Sequence, residues 1–260
     1  MRYGGNTACV ALEVPGEDPI VFDIGTGLRF WGQHLPTDGS FHGSALVSHM
    51  HWDHVQGLPF FVPADRIGAT FDVYGPTPEE CSWSEGFHVF MRPPYFPVTP
   101  LDLRGEIRFH DLNHDGLVLG NAKVTSRPVP HIGPTNGYRI EWDGVSICYI
   151  SDHQAPHDQK TIHPNVLELA DGADLLIHDA QYTPEEWEMK SHWGHCTVDY
   201  AVHVAREAGA HSLVLFHHDP AHDDEEMDRL LDGARQTASR LGVDEVIAAF
   251  EGLTISFERG

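Results

Sequence analysis

Within Ser48-His49-Met50-His51-Trp52-Asp53-His54, three imidazoles and a carboxylate fall inside six residues, after the short apolar run Ala45–Ser48 and just before Gly57-Leu58-Pro59. Side chains so closely spaced converge only if the backbone turns sharply, and a strand end running into a helix start supplies that turn. The pattern H-x-H-x-D-H thus demands a corner that gathers metal ligands. A solvated polar loop would have no need of the spacing. Histidine is abundant throughout, 20 of 260 residues, and its clusters pair it mostly with Asp rather than Lys or Arg. That donor chemistry suits metal.

The rest of the chain divides into two halves of different rhythm. In the first, Thr7–Val14 and Ile20–Ile24 read as paired strands, and Ala45–Ser48 as a short buried one. Glu106–Leu112, Ala122–Val129, Gly137–Trp142 and Val145–Ile150 read as an antiparallel run, with the Asp143-Gly144 turn between the last two. From Asp152 onward strands and helices alternate: Leu175–His178, the amphipathic helix Thr197–Ala208, Ser212–Phe216, the helix Asp223–Leu241, Glu245–Ala248 and Leu253–Phe257. Sheets with helices packed outside imply a layered α/β sandwich, and with no repeat or linker one domain over 1–260 is the simplest reading. Phe87–Pro100, aromatic and rich in proline, is irregular. It reads as a lid or interface loop, or equally as packing against the core.

Sixteen Lys and Arg against 39 Asp and Glu leave a formal charge of −23. Nucleic-acid affinity draws largely on phosphate neutralisation, so no large nucleic-acid partner is expected, and a phosphate substrate should be small or met by metal. No apolar run is long enough to span a membrane and no apolar leader core is visible, which points to the cytoplasm. Cys9, Cys81, Cys148 and Cys196 are widely spaced and read as reduced thiols.

The H-x-H-x-D-H element resembles that of the metallo-β-lactamase superfamily, whose fold is a four-layer αβ/βα sandwich with a dinuclear metal site. The resemblance implies three later ligands. His131, after Arg127-Pro128-Val129-Pro130, matches the third histidine; Asp152, ending the run Val145–Ser151, matches the bridging aspartate; His217, directly after Ser212–Phe216, matches the last histidine in preference to His218. One ion would then be held by His49, His51, His131 and Asp152, and the other by Asp53, His54, Asp152 and His217. Imidazole-rich sites suit Zn2+, with Mn2+ or Fe2+ as the alternatives. His153, His157, His163, His178, His203 and His211 lack strand-end or motif context and read as surface residues or supports beside the site.

Trp193-Gly194-His195-Cys196-Thr197, placed before a helix, resembles the H-x-T element of the ribonuclease Z-like phosphodiesterase branch. Thr197 is a plausible N-cap, and the helix N-terminus with His195 would make a phosphate-sized anion site. His195 is the expected general acid, and Asp53 would accept a hydrogen bond from the attacking water. Tyr3-Gly4-Gly5-Asn6-Thr7, Asp23-Ile24-Gly25-Thr26-Gly27 and Ile177-His178-Asp179-Ala180-Gln181-Tyr182 extend the resemblance over nearly the whole chain. Members of that group include cyclic-nucleotide phosphodiesterases and are usually dimeric, so the resemblance implies a homodimer and a small nucleotide substrate, cyclic nucleotides included. The branch's H-E-A-T element stands here as His178-Asp179-Ala180-Gln181, so Asp179 would orient His195 through a shorter side chain than the family's glutamate. The stretch that normally precedes Gly-Gly-Asn-Thr is absent between Met1 and Gly4, and the basic arm of ribonuclease Z has no counterpart. A lactonase or thioesterase, an RNA-processing nuclease and a non-catalytic metal sensor are the competing readings.

Overall fold

A computed structural model describes residues 2–257, which form two compact units, Asn6–Asn113 and residues 114–257 with 2–5. The first unit carries β1 (Val10–Leu12), β2 (Ile20–Phe22), α1 (Gly27–Trp31), β3 (His42–Leu46), α2 (Trp52–Val55), β4 (Thr70–Gly75), α3 (Trp83–Phe90) and β5 (Glu106–Asp111). Its five strands lie in the order of the chain, β1 antiparallel to β2 and the rest parallel. The expected hairpin of the first two strands is present. The core centres on Phe41, Phe61 and Phe71, with Phe41 edge-on to both of the others.

Ser82 caps α3 in a capping box with Glu85, and the helix buries Trp83 and Phe87. Phe87 lies against Phe109 with ring centroids 4.6 Å apart. The front of the aromatic stretch is therefore core, whereas Tyr95 is exposed.

The second unit runs β6 (Gly116–Leu119), β7 (Ala122–Pro128), β8 (Asn136–Trp142), β9 (Val145–Ile150), α4 (Pro164–Ala170), β10 (Leu175–Asp179), α5 (Pro184–Lys190), α6 (Val198–Ala208), β11 (Ser212–Phe216), α7 (Asp224–Leu241) and β12 (Glu245–Ala248). One seven-stranded sheet results, in the order β12-β11-β10-β9-β8-β7-β6. β6 to β9 are antiparallel neighbours and β9 to β12 parallel ones. Asp143 and Gly144 both have positive φ, 49° and 81°, as the two-residue hairpin joining β8 to β9 requires. β10 is buried at every position, the pattern of a parallel strand covered on both faces. Helix α4 packs on β7, β8 and β9, α6 on β10 and β11, and α7 on α6 and β12.

Three expectations needed correction. The strand at Glu106 pairs in parallel with β4 rather than joining the antiparallel run, because a crossover through α3 returns the chain to the same end of the sheet, and strand direction leaves no mark in the residue pattern. β4, with its regular alternation of burial, and β6 were not anticipated. Leu253–Phe257 forms no strand. Among the described residues, no helix is long and apolar enough to cross a membrane.

Candidate metal centre

In the first unit the corner forms as the spacing requires. β3 ends at Leu46, His51 in extended conformation caps α2, and the His54 N–H bonds the His51 carbonyl at 3.0 Å. The His49 ring stands 4.3 Å from those of both His51 and His54, centroid to centroid, and His54 Nε2 lies 3.3 Å from Asp53 Oδ2. His49 and His54 are buried, and His51 is exposed.

Beneath this cluster is a carboxylate to which sequence reasoning assigned no role. Asp23 is fully buried, follows the all-buried strand β2 and adopts φ 54°. It accepts hydrogen bonds from the Ser48 backbone (2.6 Å), Ser48 Oγ (3.0 Å) and His54 Nδ1 (2.7 Å). The carboxylate accepts only, so the His54 proton sits on Nδ1 and its Nε2 presents a lone pair. The Ser48 hydroxyl, donating to Asp23, receives the His49 Nδ1 proton at 3.0 Å and leaves His49 Nε2 as the donor atom. The signal for Asp23 was available: a carboxylate ending an apolar strand, as Asp152 does. Close backbone contact holds the loop after Asp23 to the corner. Gly57 N–H bonds the Ile24 carbonyl, and a Cβ on Gly57 would lie 1.9 Å from the Gly25 oxygen.

In the second unit the residues of interest stand at the carboxyl ends of neighbouring parallel strands, where open α/β sheets gather their ligands. Asp152 lies two residues beyond β9, Asp179 ends β10, and His217 directly follows β11 with φ 56°. His131 Nε2 and His217 Nε2 each lie 3.7 Å from Asp152 Oδ2. The opposite nitrogens are anchored: His131 Nδ1 donates to the Gly194 carbonyl (2.7 Å), His217 Nδ1 to Gln181 Oε1 (3.1 Å). Burial lowers the His131 pKa against the pull of Asp152, which favours the neutral ring a metal needs. Gly194 has φ 96°, and a Cβ there would come within 2.5 Å of the His131 ring. Only glycine lets this loop pass the imidazole.

His195 Nδ1 donates to Asp179 Oδ2 at 2.9 Å, and its ring stacks on His217 at 4.9 Å between centroids. The shorter aspartate does reach. Atoms of Asp152, His195 and His217 fall within 4.8 Å of one another; Asp152 and His217 offer the carboxylate and imidazole that suit a divalent ion, while His195 is held by Asp179 beside them. His218 turns away and bonds the Ala249 carbonyl. Thr197 is fully buried, caps α6 by accepting from Tyr200 N–H and donates to Gln159. The Val198 N–H bonds the Tyr182 carbonyl. Two of the amides expected to face an anion, those of Val198 and Tyr200, thus bond within the protein. His153 and His178, read from sequence as surface or flanking residues, are both fully buried.

A family model described as Beta-lactamase superfamily domain matches residues 21–218. The ribonuclease Z of Brevibacillus brevis is 44% identical over 253 aligned residues, covering 80% of this chain and 78% of that one. Among solved structures, the metallo-β-lactamase fold protein YhfI from Bacillus subtilis superposes with TM-score 0.71 at 19% identity, over 97% of this chain and 94% of its own. The short form of human tRNase Z gives 0.69 at 19% identity, over 98% and 95%. The expectation that no large nucleic acid would be a partner is overturned by the Brevibacillus relative, which is named a ribonuclease. A net charge of −23 sums the whole surface, while phosphate answers to the field at the site, where bound cations are the largest local charges. Family model, relative and fold agree: the chain belongs to the metallo-β-lactamase superfamily of hydrolases, in its ribonuclease Z-like branch, whose fold implies a dinuclear metal site.

Proposed function

We propose that this chain is a dinuclear-metal phosphodiesterase acting on a nucleotide-bearing phosphodiester, with His195 as general acid. His49, His51, His131 and Asp152 would hold one ion, and Asp53, His54, Asp152 and His217 the other, the division implied by the family. Imidazole-rich donors favour zinc. Once bound, two such ions would acidify a shared water toward a pKa of about 7 and neutralise the phosphate oxygens.

The observation that carries the reading is the Asp179–His195 pair, 2.9 Å apart beside Asp152. A carboxylate holding Nδ1 keeps the imidazole in one tautomer, leaving Nε2 to exchange the reactive proton. Water adds to phosphorus, the ester P–O bond breaks, and the leaving oxygen takes its proton from His195. Asp53 accepts a hydrogen bond from the attacking water. Acyl substrates with good leaving groups would have less use for such a donor.

The substrate is either a small, including cyclic, nucleotide or an RNA, and the name of the 44% identical relative favours RNA as the second reading. The test assays wild type and His195→Ala on bis-p-nitrophenyl phosphate, a panel of cyclic nucleotides, RNA with an extended 3′ end, a lactone and a thioester. The variant should keep its metal and lose about 10²–10⁴-fold in kcat on esters with a poorly leaving ribose oxygen, and less on p-nitrophenyl esters. Turnover of the lactone or thioester alone would sink the phosphodiesterase reading. Metal retention without turnover of any substrate would favour a sensor.

A further inference from the structure

Asp179, which holds His195, is itself held at both ends by a pair of histidines that the proposed reaction does not use. Its carbonyl accepts from His178 Nδ1 at 2.7 Å and from Cys196 Sγ at 3.0 Å. A carbonyl cannot donate, so the His178 proton is on Nδ1 and its Nε2 can only accept. That nitrogen faces His153 Nδ1 at 3.0 Å, which must therefore carry the proton of the second ring. The His153 backbone N–H then donates to Asp179 Oδ2 at 2.9 Å, the same oxygen that binds His195, while Gln181 N–H takes Oδ1 at 3.1 Å. The four residues His153, His178, Asp179 and Cys196 are buried. The carbonyl acceptor at one end and the carboxylate acceptor at the other give every donor in the circuit one direction. No water competes for these bonds, and a reversed ring would place donor against donor.

We propose that His178 is a positioning residue for proton transfer: through the Asp179 carbonyl on one side and His153 on the other, it sets the orientation of the Asp179 carboxylate and so the tautomer and aim of His195. The inference rests on His195 as general acid. Without the His178 ring, the Asp179 carbonyl keeps only a weak thiol donor and His153 loses its acceptor. The His153 and Gln181 N–H groups still hold the carboxylate, but on a backbone that has lost its support at both places, and its aim at the His195 Nδ1 proton loosens. Residues supporting a site in this way are commonly worth about 10–100-fold in activity.

The test uses the full-length, zinc-loaded chain with His178→Leu, His178→Asn and His178→Gln. Asparagine restores an N–H near the Nδ1 position; glutamine does not. His178→Leu should lose about 10–100-fold in kcat on an alkyl or ribose phosphodiester and far less on bis-p-nitrophenyl phosphate, with metal content unchanged. His178→Asn should recover most of the loss and His178→Gln little. Long-range 1H–15N spectra of His195 should show one Nδ1-protonated tautomer in wild type and a mixture in His178→Leu. Equal losses on both ester types, or an unaltered His195 spectrum in His178→Leu, would overturn the proposal. If the leucine variant does not fold, the comparison passes to Asn against Gln, and equal activity and spectra for the two would overturn it. A wild type inert toward all phosphodiesters strikes the proposed function instead, and the His195 spectra then decide this inference alone.

Discussion

Asp23→Asn isolates what the buried carboxylate contributes to the first unit's cluster. Asparagine has the same shape and tolerates φ 54°, so neither cavity nor backbone strain enters. Its amide oxygen can take the Oδ1 place and keep the Ser48 N–H bond of 2.6 Å, but the amide nitrogen then stands at the Oδ2 place, which the Ser48 hydroxyl (3.0 Å) and His54 Nδ1–H (2.7 Å) both approach. Donor faces donor in a fully buried place. The bond lost is one to a charged group, worth about 1.5–3 kcal/mol, and the stranded donor adds desolvation, so about 2–4 kcal/mol of stability should disappear. His54 can escape only by moving its proton to Nε2, the nitrogen assigned to metal. Affinity for that ion should fall about 10–100-fold. Urea denaturation of the metal-free chain measures the first effect, and competition against a calibrated zinc chelator the second. Unchanged denaturation midpoint together with unchanged zinc affinity would show that Asp23 neither supports the corner nor selects the His54 tautomer.

Two further outcomes follow from the packing and the titrations. Phe87→Ala should cost about 3–5 kcal/mol because the ring is wholly buried against Phe109, whereas Tyr95→Ala at an exposed position should stay within about 0.5 kcal/mol; similar melting shifts for the two would mean α3 is not core. His218 is held neutral by burial, its pKa lowered from 6.5 to about 4. The unfolded chain binds that proton first, so the contribution is complete above pH 6.5 and is lost as pH falls toward 4, by at most about 3 kcal/mol. Urea midpoints of the metal-free chain between pH 7.5 and 4.5 should therefore fall less steeply in His218→Gln than in wild type; parallel slopes would rule His218 out as a source of the acid sensitivity.

Several parts of the candidate site could be read locally. The H-x-H-x-D-H corner, the Thr197 cap and the Asp143-Gly144 turn each rest on contacts a few residues apart, where spacing and backbone preference suffice, whereas the carboxylate after β9 and the histidine after β11 came into view through the family resemblance. His217, left-handed just past the strand, lies beside Asp152, and His218 turns to the Ala249 carbonyl. Even the Asp179–His195 contact was approachable, because a motif put the two residues in view before their distance was known.

Other features depended on which distant segments meet. Asp152, Asp179 and His217 share one sheet edge because β10 inserts in parallel between β9 and β11, an adjacency carried by crossovers and invisible to periodicity. The same reason moved Glu106–Asp111 into the other sheet. Asp23 gained its role only when the loop after β2 came under Ser48 and His54. His153 and His178 have no local mark of burial, yet helix α6, laid across β10, encloses them and leaves each ring a single set of partners. Sequence alone determined the candidate ligand types and the H-x-H-x-D-H corner that presents the first of them, because those follow from neighbouring residues. Tertiary structure decided which carboxylate holds which imidazole, because proton positions are set by the partners that long-range packing supplies.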